Sequence, residues 1–211
     1  MTATLITIAA GTLSSQRASW TFDDMPPGRV PQGFMVTDGQ PAQAAAWIVQ
    51  REGSDTFLSH TAQTRNGIDL AVASGTSLGN VSLTARIRFP ETAHAAGIAW
   101  RYRDPGNYYS VALDLRAQNV RIYRVFAGNR TRLEDEDDLE LDPSAWHTLK
   151  VQDDSNRMRV WLDGVPVVDT RDRSLHEPGA VGVWTTGDAT VWFDNLQVEP
   201  LAESSRGNRR D

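Results

Sequence analysis

Apolar and polar side chains alternate in short runs over most of the second half of the chain. In 81–89, Val81, Leu83, Ala85, Ile87 and Phe89 alternate with Ser82, Thr84, Arg86 and Arg88. A strand sends successive side chains to opposite faces, so this run predicts a strand with one buried face. The same period recurs in 97–115, GIAWRYRDPGNYYSVALDL, on both sides of Asp104-Pro105-Gly106-Asn107. Proline presets φ and the following glycine tolerates a positive φ, which predicts a type II turn and hence a hairpin. On parity Ile98, Trp100 and Tyr102 share one face and Ala99, Arg101 and Arg103 the other. After the turn, Tyr109, Val111 and Leu113 oppose Tyr108, Ser110, Ala112 and Asp114.

Further along, Val120 and Ile122 oppose Arg121 and Tyr123, while Met158, Val160 and Leu162 oppose Arg157, Arg159 and Trp161. Asp163-Gly164 is a two-residue hairpin signal, and Val181 and Val183 oppose Trp184. No window of helical length carries an apolar stripe of period 3.6. Short alternating strands separated by Gly, Asp, Asn or Pro turns predict an all-β sandwich or barrel.

Composition narrows the function classes. The 211 residues suit one domain, and seven tryptophans supply apolar area for a core without staples. The absence of cysteine removes disulfides and thiolate chemistry. A net charge of −6 argues against nucleic acid and anionic membranes as partners. Lys150 is the single lysine among 21 basic residues. Arginine forks suit carboxylates and stacking surfaces, although codon bias gives the same count. Residues 17–200 are expected to form one sandwich domain. Residues 1–16 read as an N-terminal arm or leader remnant, without a basic n-region, and 201–211 as a disordered tail.

Local motifs carry little catalytic signal. Gly75-Thr76-Ser77-Leu78-Gly79 fits G-x-S-x-G, but that elbow needs a following helix and here an alternating strand follows. His60, His94, His147 and His176 show no metal-ligand spacing, and His147 is expected to face away from the core. Asp135, Asp137 and Glu140 in the acidic run imitate the spaced carboxylates of glycosidases. Such a run is more simply a solvated loop between strands.

The string SWTFDDMPPGRVPQGF, GIAWRYRDPGNYY, NVRIYRVFAGNRTRL, WHTLKV, VWLDG and GAVGVWTTGDATVWFDNLQV resembles bacterial concanavalin A-like, laminin-G-like jelly-roll domains, akin to those of the 3-keto-disaccharide hydrolases. The resemblance runs from about Trp20 to Val198. It implies an antiparallel two-sheet jelly roll with a concave face, export to the periplasm or outside, and handling of carbohydrate. It brings no catalytic set. A binding module leads, with a glycoside hydrolase or lyase-like enzyme and a structural or adhesion module as the alternatives. A structural Ca²⁺ where first and last strands meet is also implied, with Asp23 and Asp194 as ligands.

Arg101, Arg103, Tyr108, Arg121 and Tyr123 are therefore expected on an outward face, with Trp161 and Trp184 on the outward parity of their own strands. Aromatic rings offer flat faces to sugar C–H groups, and guanidinium forks bind hydroxyls and carboxylates. The expected partner is a saccharide, including an acidic one such as a uronate, bound by a monomer.

Overall fold

A computed structural model describes residues 17–37, 46–61, 67–90 and 95–202. The expectations for 1–16, for His94 and for most of the C-terminal tail lie outside the described residues. Fifteen strands are formed, and no α-helix occurs among the described residues. The strands are β1 (Ala18–Trp20), β2 (Phe34–Thr37), β3 (Trp47–Glu52), β4 (Asp55–His60), β5 (Ile68–Leu78), β6 (Val81–Arg88), β7 (Ala95–Asp104) and β8 (Asn107–Asp114). They continue with β9 (Asn119–Phe126), β10 (Asn129–Glu136), β11 (His147–Asp154), β12 (Arg157–Leu162), β13 (Val165–Arg171), β14 (Gly179–Thr186) and β15 (Val191–Pro200).

They build two antiparallel sheets, the sandwich that the alternation predicts and the jelly roll that the resemblance implies. Sheet A has eight strands in the order β13-β12-β11-β6-β15-β4-β3, with β1 added against β15. Sheet B has seven, in the order β10-β9-β8-β7-β14-β5-β2. A bulge at Asp194–Asn195, where Asn195 takes φ 49°, divides β15 between two neighbours. Its first part pairs with β4 and its last part with β1.

Hairpin chemistry follows the sequence in most places. At Asp163-Gly164, Ala127-Gly128 and Ser155-Asn156 both residues have positive φ, as the hairpin turn matching strand twist requires. Asp104–Asn107 departs from the expected type II turn, because Gly106 is not at positive φ. The Asp104 carboxylate instead accepts the Gly106 N–H at 2.8 Å and an Asn107 amide N–H at 2.9 Å. Gly106 is small for a different reason: a Cβ there would come within 3.2 Å of the Gly128 nitrogen.

The inward faces of the two sheets interdigitate around Leu83, Ile87, Ile98, Trp100, Tyr109, Val111, Ile122, Val160, Val183 and Phe193, all buried. Polar bridges cross this core. His60 of β4 reaches Asp69 of β5 at 2.9 Å and the Ala189 carbonyl at 2.7 Å, both side chains fully buried. Since the carbonyl can only accept, Nδ1 is the protonated donor towards Ala189. His147 also corrects an expectation, because it is buried rather than outward and meets Asp163 at 2.8 Å and the Asp142 carbonyl at 2.8 Å.

The segment after β13 closes one end of the sandwich. Tyr109 donates its phenol O–H to Asp172 at 2.6 Å, and Arg124 donates to Asp172 at 2.8 Å and to Ser174 at 2.6 Å. Burial, then the Asp172 contact, pushes the Tyr109 phenol well up from its usual range. Burial alone would raise Asp172. The Tyr109 and Ser174 hydrogen bonds and the Arg124 charge outweigh it, leaving the carboxyl below its ordinary 3.8. A depressed carboxyl contributes stability that is complete above the unfolded value and is lost as pH falls through the folded one. Asp172→Asn is therefore expected to lower the melting temperature at neutral pH. The two proteins should converge in acid below pH 3.8, which a melting series against pH measures.

Candidate functional site

The outer face of sheet B carries a second apolar cluster, separate from the inter-sheet core: Leu70, Val72, Ala99, Tyr102, Tyr108, Ala112, Val125 and Trp184, with Tyr123 packed against it. Strand parity places these residues. On β8 and β9, Tyr108, Tyr123 and Val125 oppose the inward Tyr109 and Ile122. On β14, Trp184 opposes Val183. The Trp184 ring is 0% exposed and donates its indole N–H to the Val111 carbonyl at 2.9 Å.

Arg130 completes the group. It lies on edge strand β10, opposite Val125 and diagonal to Tyr123. Its guanidinium carbon sits 3.7 Å from the centre of the Tyr123 ring and 5.0 Å from that of Trp184, within cation–π range. Burial pushes the Tyr108 phenol up, and the positive charge of Arg130 opposes that rise. Tyr102 and Tyr108 extend the floor, with ring centres 5.8 Å apart. Half-buried Tyr123 and exposed Arg130 are thus presented over buried Tyr108 and Trp184. At the rim, Arg121 meets Asp135 at 3.8 Å and Asp137 at 3.3 Å, and Arg132 meets Asp135 at 3.2 Å.

Tyr108, Arg121, Tyr123 and Trp184 therefore come together on one face, as parity predicts, but Tyr108 and Trp184 are buried beneath it rather than exposed. Arg101 is elsewhere. A bulge separates Trp100 from Asp104 in the β7–β8 ladder, and Arg101 takes φ 48°. That turns its side chain away from the outer face and into an ion pair with Asp153 of sheet A at 2.7 Å, with both side chains nearly fully buried. The same bulge reverses the parity of Tyr102, moving it from the expected inner face to the outer cluster. Arg103 is exposed near the hairpin tip beside Asn107 and Phe126. Trp161 belongs to sheet A, half-buried with Lys150 at 5.5 Å and Arg159 at 5.6 Å from its ring.

Sequence reading misses Arg130, because 129–136 is largely polar and shows no strand alternation. The signal available was Gly128 followed by Arg130 and Arg132 at spacing two. It also missed an aromatic group on sheet A, where Phe57 stacks on Trp192 at 4.4 Å and Arg86 and Arg88 lie over Trp146 and Trp192 at 4.8 and 5.2 Å.

Of the carboxylate candidates, Asp135 and Asp137 are held by arginines and Glu140 is exposed. The first part of the acidic run forms the end of β10 rather than a loop, and its Asp135 is shared by two arginines. Ser77 is an exposed residue in β5, followed by strand β6, so no nucleophile elbow exists there. Asp194, expected with Asp23 to hold a structural Ca²⁺, lies in the closing strand β15. Burial, and then the negative charges of Asp55 and Asp23, hold the Asp194 carboxyl above its usual range. Yet its oxygens accept from the Asn195 backbone and side-chain amides at 2.6 and 2.8 Å and from Arg86 at 3.4 Å. Among the described residues no three acidic or histidine groups are placed to share a metal ion.

The sandwich is shared with proteins of known structure. Carbohydrate-binding module CBM66 from Bacillus subtilis superposes with a TM-score of 0.66 at 20% identity, over 79% of this chain and 95% of its own. A Bacillus subtilis protein of unknown function with a galectin-like fold gives 0.60 at 9%, over 81% and 90%. A GH16 protein of the Bacteroides ovatus mixed-linkage glucan system, in complex with its G4G4G3G product, gives 0.61 at 13%, over 86% and 99%. At such identities the likeness is one of fold. Among curated proteins no sequence matches. Residues 17–199, from β1 into β15, match the 3-keto-alpha-glucoside-1,2-lyase-like domain, and the chain belongs to that family.

Proposed function

We propose that this protein is a carbohydrate-binding module that holds a saccharide on the outer face of sheet B. Tyr123 and Arg130 are the contacts, Arg121 and Arg132 the rim, and Tyr108 and Trp184 the buried support. The observation that carries this reading is the Arg130 guanidinium lying 3.7 Å over Tyr123 on an otherwise apolar sheet face. A stacked fork presents N–H donors in a fixed plane to ring oxygens and hydroxyls beside an aromatic surface. Arg130 makes no carboxylate pair among the described residues, whereas Arg121 and Arg132 do. A uronate carboxylate is thus a fitting partner for it, and an acidic saccharide is the substrate class proposed. The structural likeness to CBM66 supports the same reading.

The family's lyase name raises a catalytic alternative. Elimination across C1–C2 of a 3-keto sugar needs a base at C2 and an acid at the leaving oxygen. The carboxylates that strand register brings to this face are already engaged: Asp135 by two arginines, and Asp114 by the Ala117 N–H at 2.9 Å. Binding without turnover is the function these side chains suit.

The test is calorimetric titration of uronate-containing and neutral oligosaccharides, with product detection on the same samples. Tyr123→Ala and Arg130→Ala are each expected to weaken binding about tenfold, or ~1.4 kcal/mol. Arg130→Lys should recover only part of the loss, because the charge returns without the planar fork. Unchanged affinity in both alanine variants, with the fold intact, rejects this face as the site.

A further inference from the structure

One end of the sandwich holds a cleft of about 580 Å³, within the roughly 300–1,000 Å³ range of small-molecule sites. Its walls include Ser77, the Ser155–Asn156 turn, Pro178 and the chain exit at Pro200–Leu201, and Arg101 lines its interior. Arg101 is 4% exposed. Its Nε donates to Asp153 at 2.7 Å, and its Nη1 donates to the His176 carbonyl at 2.8 Å and reaches the Glu177 carbonyl at 3.5 Å. Those contacts leave Nη2 without a hydrogen-bond partner among the described residues.

Several features hold the guanidinium in this place. Arg101 takes a left-handed backbone conformation, φ 48°, that side chains other than glycine adopt rarely. Gly179 makes room for it, since a Cβ at that position would lie 2.4 Å from the Arg101 carbonyl carbon. Asp153, which also accepts the Trp100 indole N–H at 3.1 Å, anchors it from the other sheet. A strained residue and a side-chain-free neighbour together keep a donor at the floor of a cleft, as functional sites do.

We propose that this cleft is a second binding site, taking the end of an uncharged saccharide, with Arg101 Nη2 donating to a sugar oxygen. The chemistry selects the class. Asp153 already balances the charge of Arg101, and His176 faces Glu177 at 3.2 Å. An anionic ligand therefore gains little here, unlike on the sheet B face. Ser77 and Asn156 offer donors and acceptors for hydroxyls, while Pro178, Pro200 and Leu201 offer apolar surface for sugar C–H groups. A cleft of about 580 Å³ has room for only a few sugar rings, so it receives the end of a chain.

The proposal stands apart from the sheet B reading and fails separately from it. The experiment is nuclear magnetic resonance on the nitrogen-labelled full chain, titrated with D-glucose, D-galactose, D-mannose, D-fructose and N-acetyl-D-glucosamine, and with D-glucuronate as the charged comparison. At least one neutral sugar is expected to shift the Arg101 Nε–H and the amides of Asn80, Ser155 and Asn156, saturating with a Kd near ~1 mM to tens of mM. Ser77→Trp changes an exposed wall residue, leaves the ion pair in place and should abolish those shifts. Three results overturn the proposal: no neutral sugar moving these signals, shifts that persist in Ser77→Trp, or glucuronate binding the cleft more tightly than every neutral sugar. Shifts at Tyr123 and Arg130 report on the other face and neither support nor rescue this one.

Discussion

Asp153→Ala is expected to destabilise the protein by about 3–5 kcal/mol, the usual consequence of stripping one partner from a buried ion pair. The Asp153 carboxylate meets the Arg101 Nε at 2.7 Å and the Trp100 indole N–H at 3.1 Å. The side chains of Arg101 and Asp153 are 4% and 1% exposed. Removing the carboxylate leaves a guanidinium with no counter-charge, only its Nη2 facing the cleft, and a fully buried indole donor with no acceptor. Against a total stability of about 5–15 kcal/mol, the melting temperature should fall by roughly 10 °C. Arg157–Asp169 is the comparison, since it is also an arginine–aspartate pair, here between the adjacent strands β12 and β13, but its side chains are 43% and 48% exposed. Solvent screens such a pair, so Asp169→Ala should barely move the melting curve. Equal effects of the two substitutions would show that Arg101 reaches water once Asp153 is gone.

This pair also shows where the sequence stops being informative. Alternation assigned the faces of β6, β8, β9, β12 and β14, because burial on one side fixes a period of two. It failed in β7 at Arg101. Nothing in Trp-Arg-Tyr-Arg announces a left-handed residue, since a bulge of this kind is more often marked by Gly or Asn. One misplaced φ then reversed Tyr102 and carried Arg101 from the expected binding face into the core. Edge strand β10 failed for another reason. It is largely polar and has little to bury, so Arg130 and Arg132 carry no alternating apolar signal. Trp161 was assigned the correct parity on its own strand. Parity says nothing about which sheet a strand joins, because that depends on pairings such as β11 with β6 and β14 with β7 that are far apart in the chain.

The chemical reading has the same asymmetry. Tyr108, Arg121, Tyr123 and Trp184 were legible as a group because they lie on β8, β9 and β14, where parity holds. Their depth was not, since a strand pattern cannot tell an exposed aromatic from one covered by a neighbour's guanidinium. The face consequently works in layers, with Trp184 and Tyr108 filling the floor and Tyr123 and Arg130 meeting solvent. Substitutions of the lower layer should therefore act first on stability, and those of the upper layer on affinity.

Gly97→Ala probes that lower layer and is expected to cost roughly 3 kcal/mol, combining overpacking against backbone with a lost buried hydrogen bond. A Cβ at Gly97 would lie 1.9 Å from the Val111 carbonyl oxygen and 3.3 Å from the Trp184 indole nitrogen. That carbonyl is the acceptor of the Trp184 indole N–H at 2.9 Å. The oxygen belongs to the β8 backbone, so no side-chain rotation relieves the contact, and the strands must separate where β7 pairs with β8 on one side and β14 on the other. Gly79→Ala is the control, because nothing lies within 4 Å of its missing Cβ and its φ is not left-handed. It should be neutral within about 0.5 kcal/mol. Urea unfolding monitored by tryptophan fluorescence reads both variants. If Gly97→Ala unfolds at the parent's midpoint, β8 can yield at Val111 without loss, and Trp184 does not depend on that carbonyl for its place beneath Arg130.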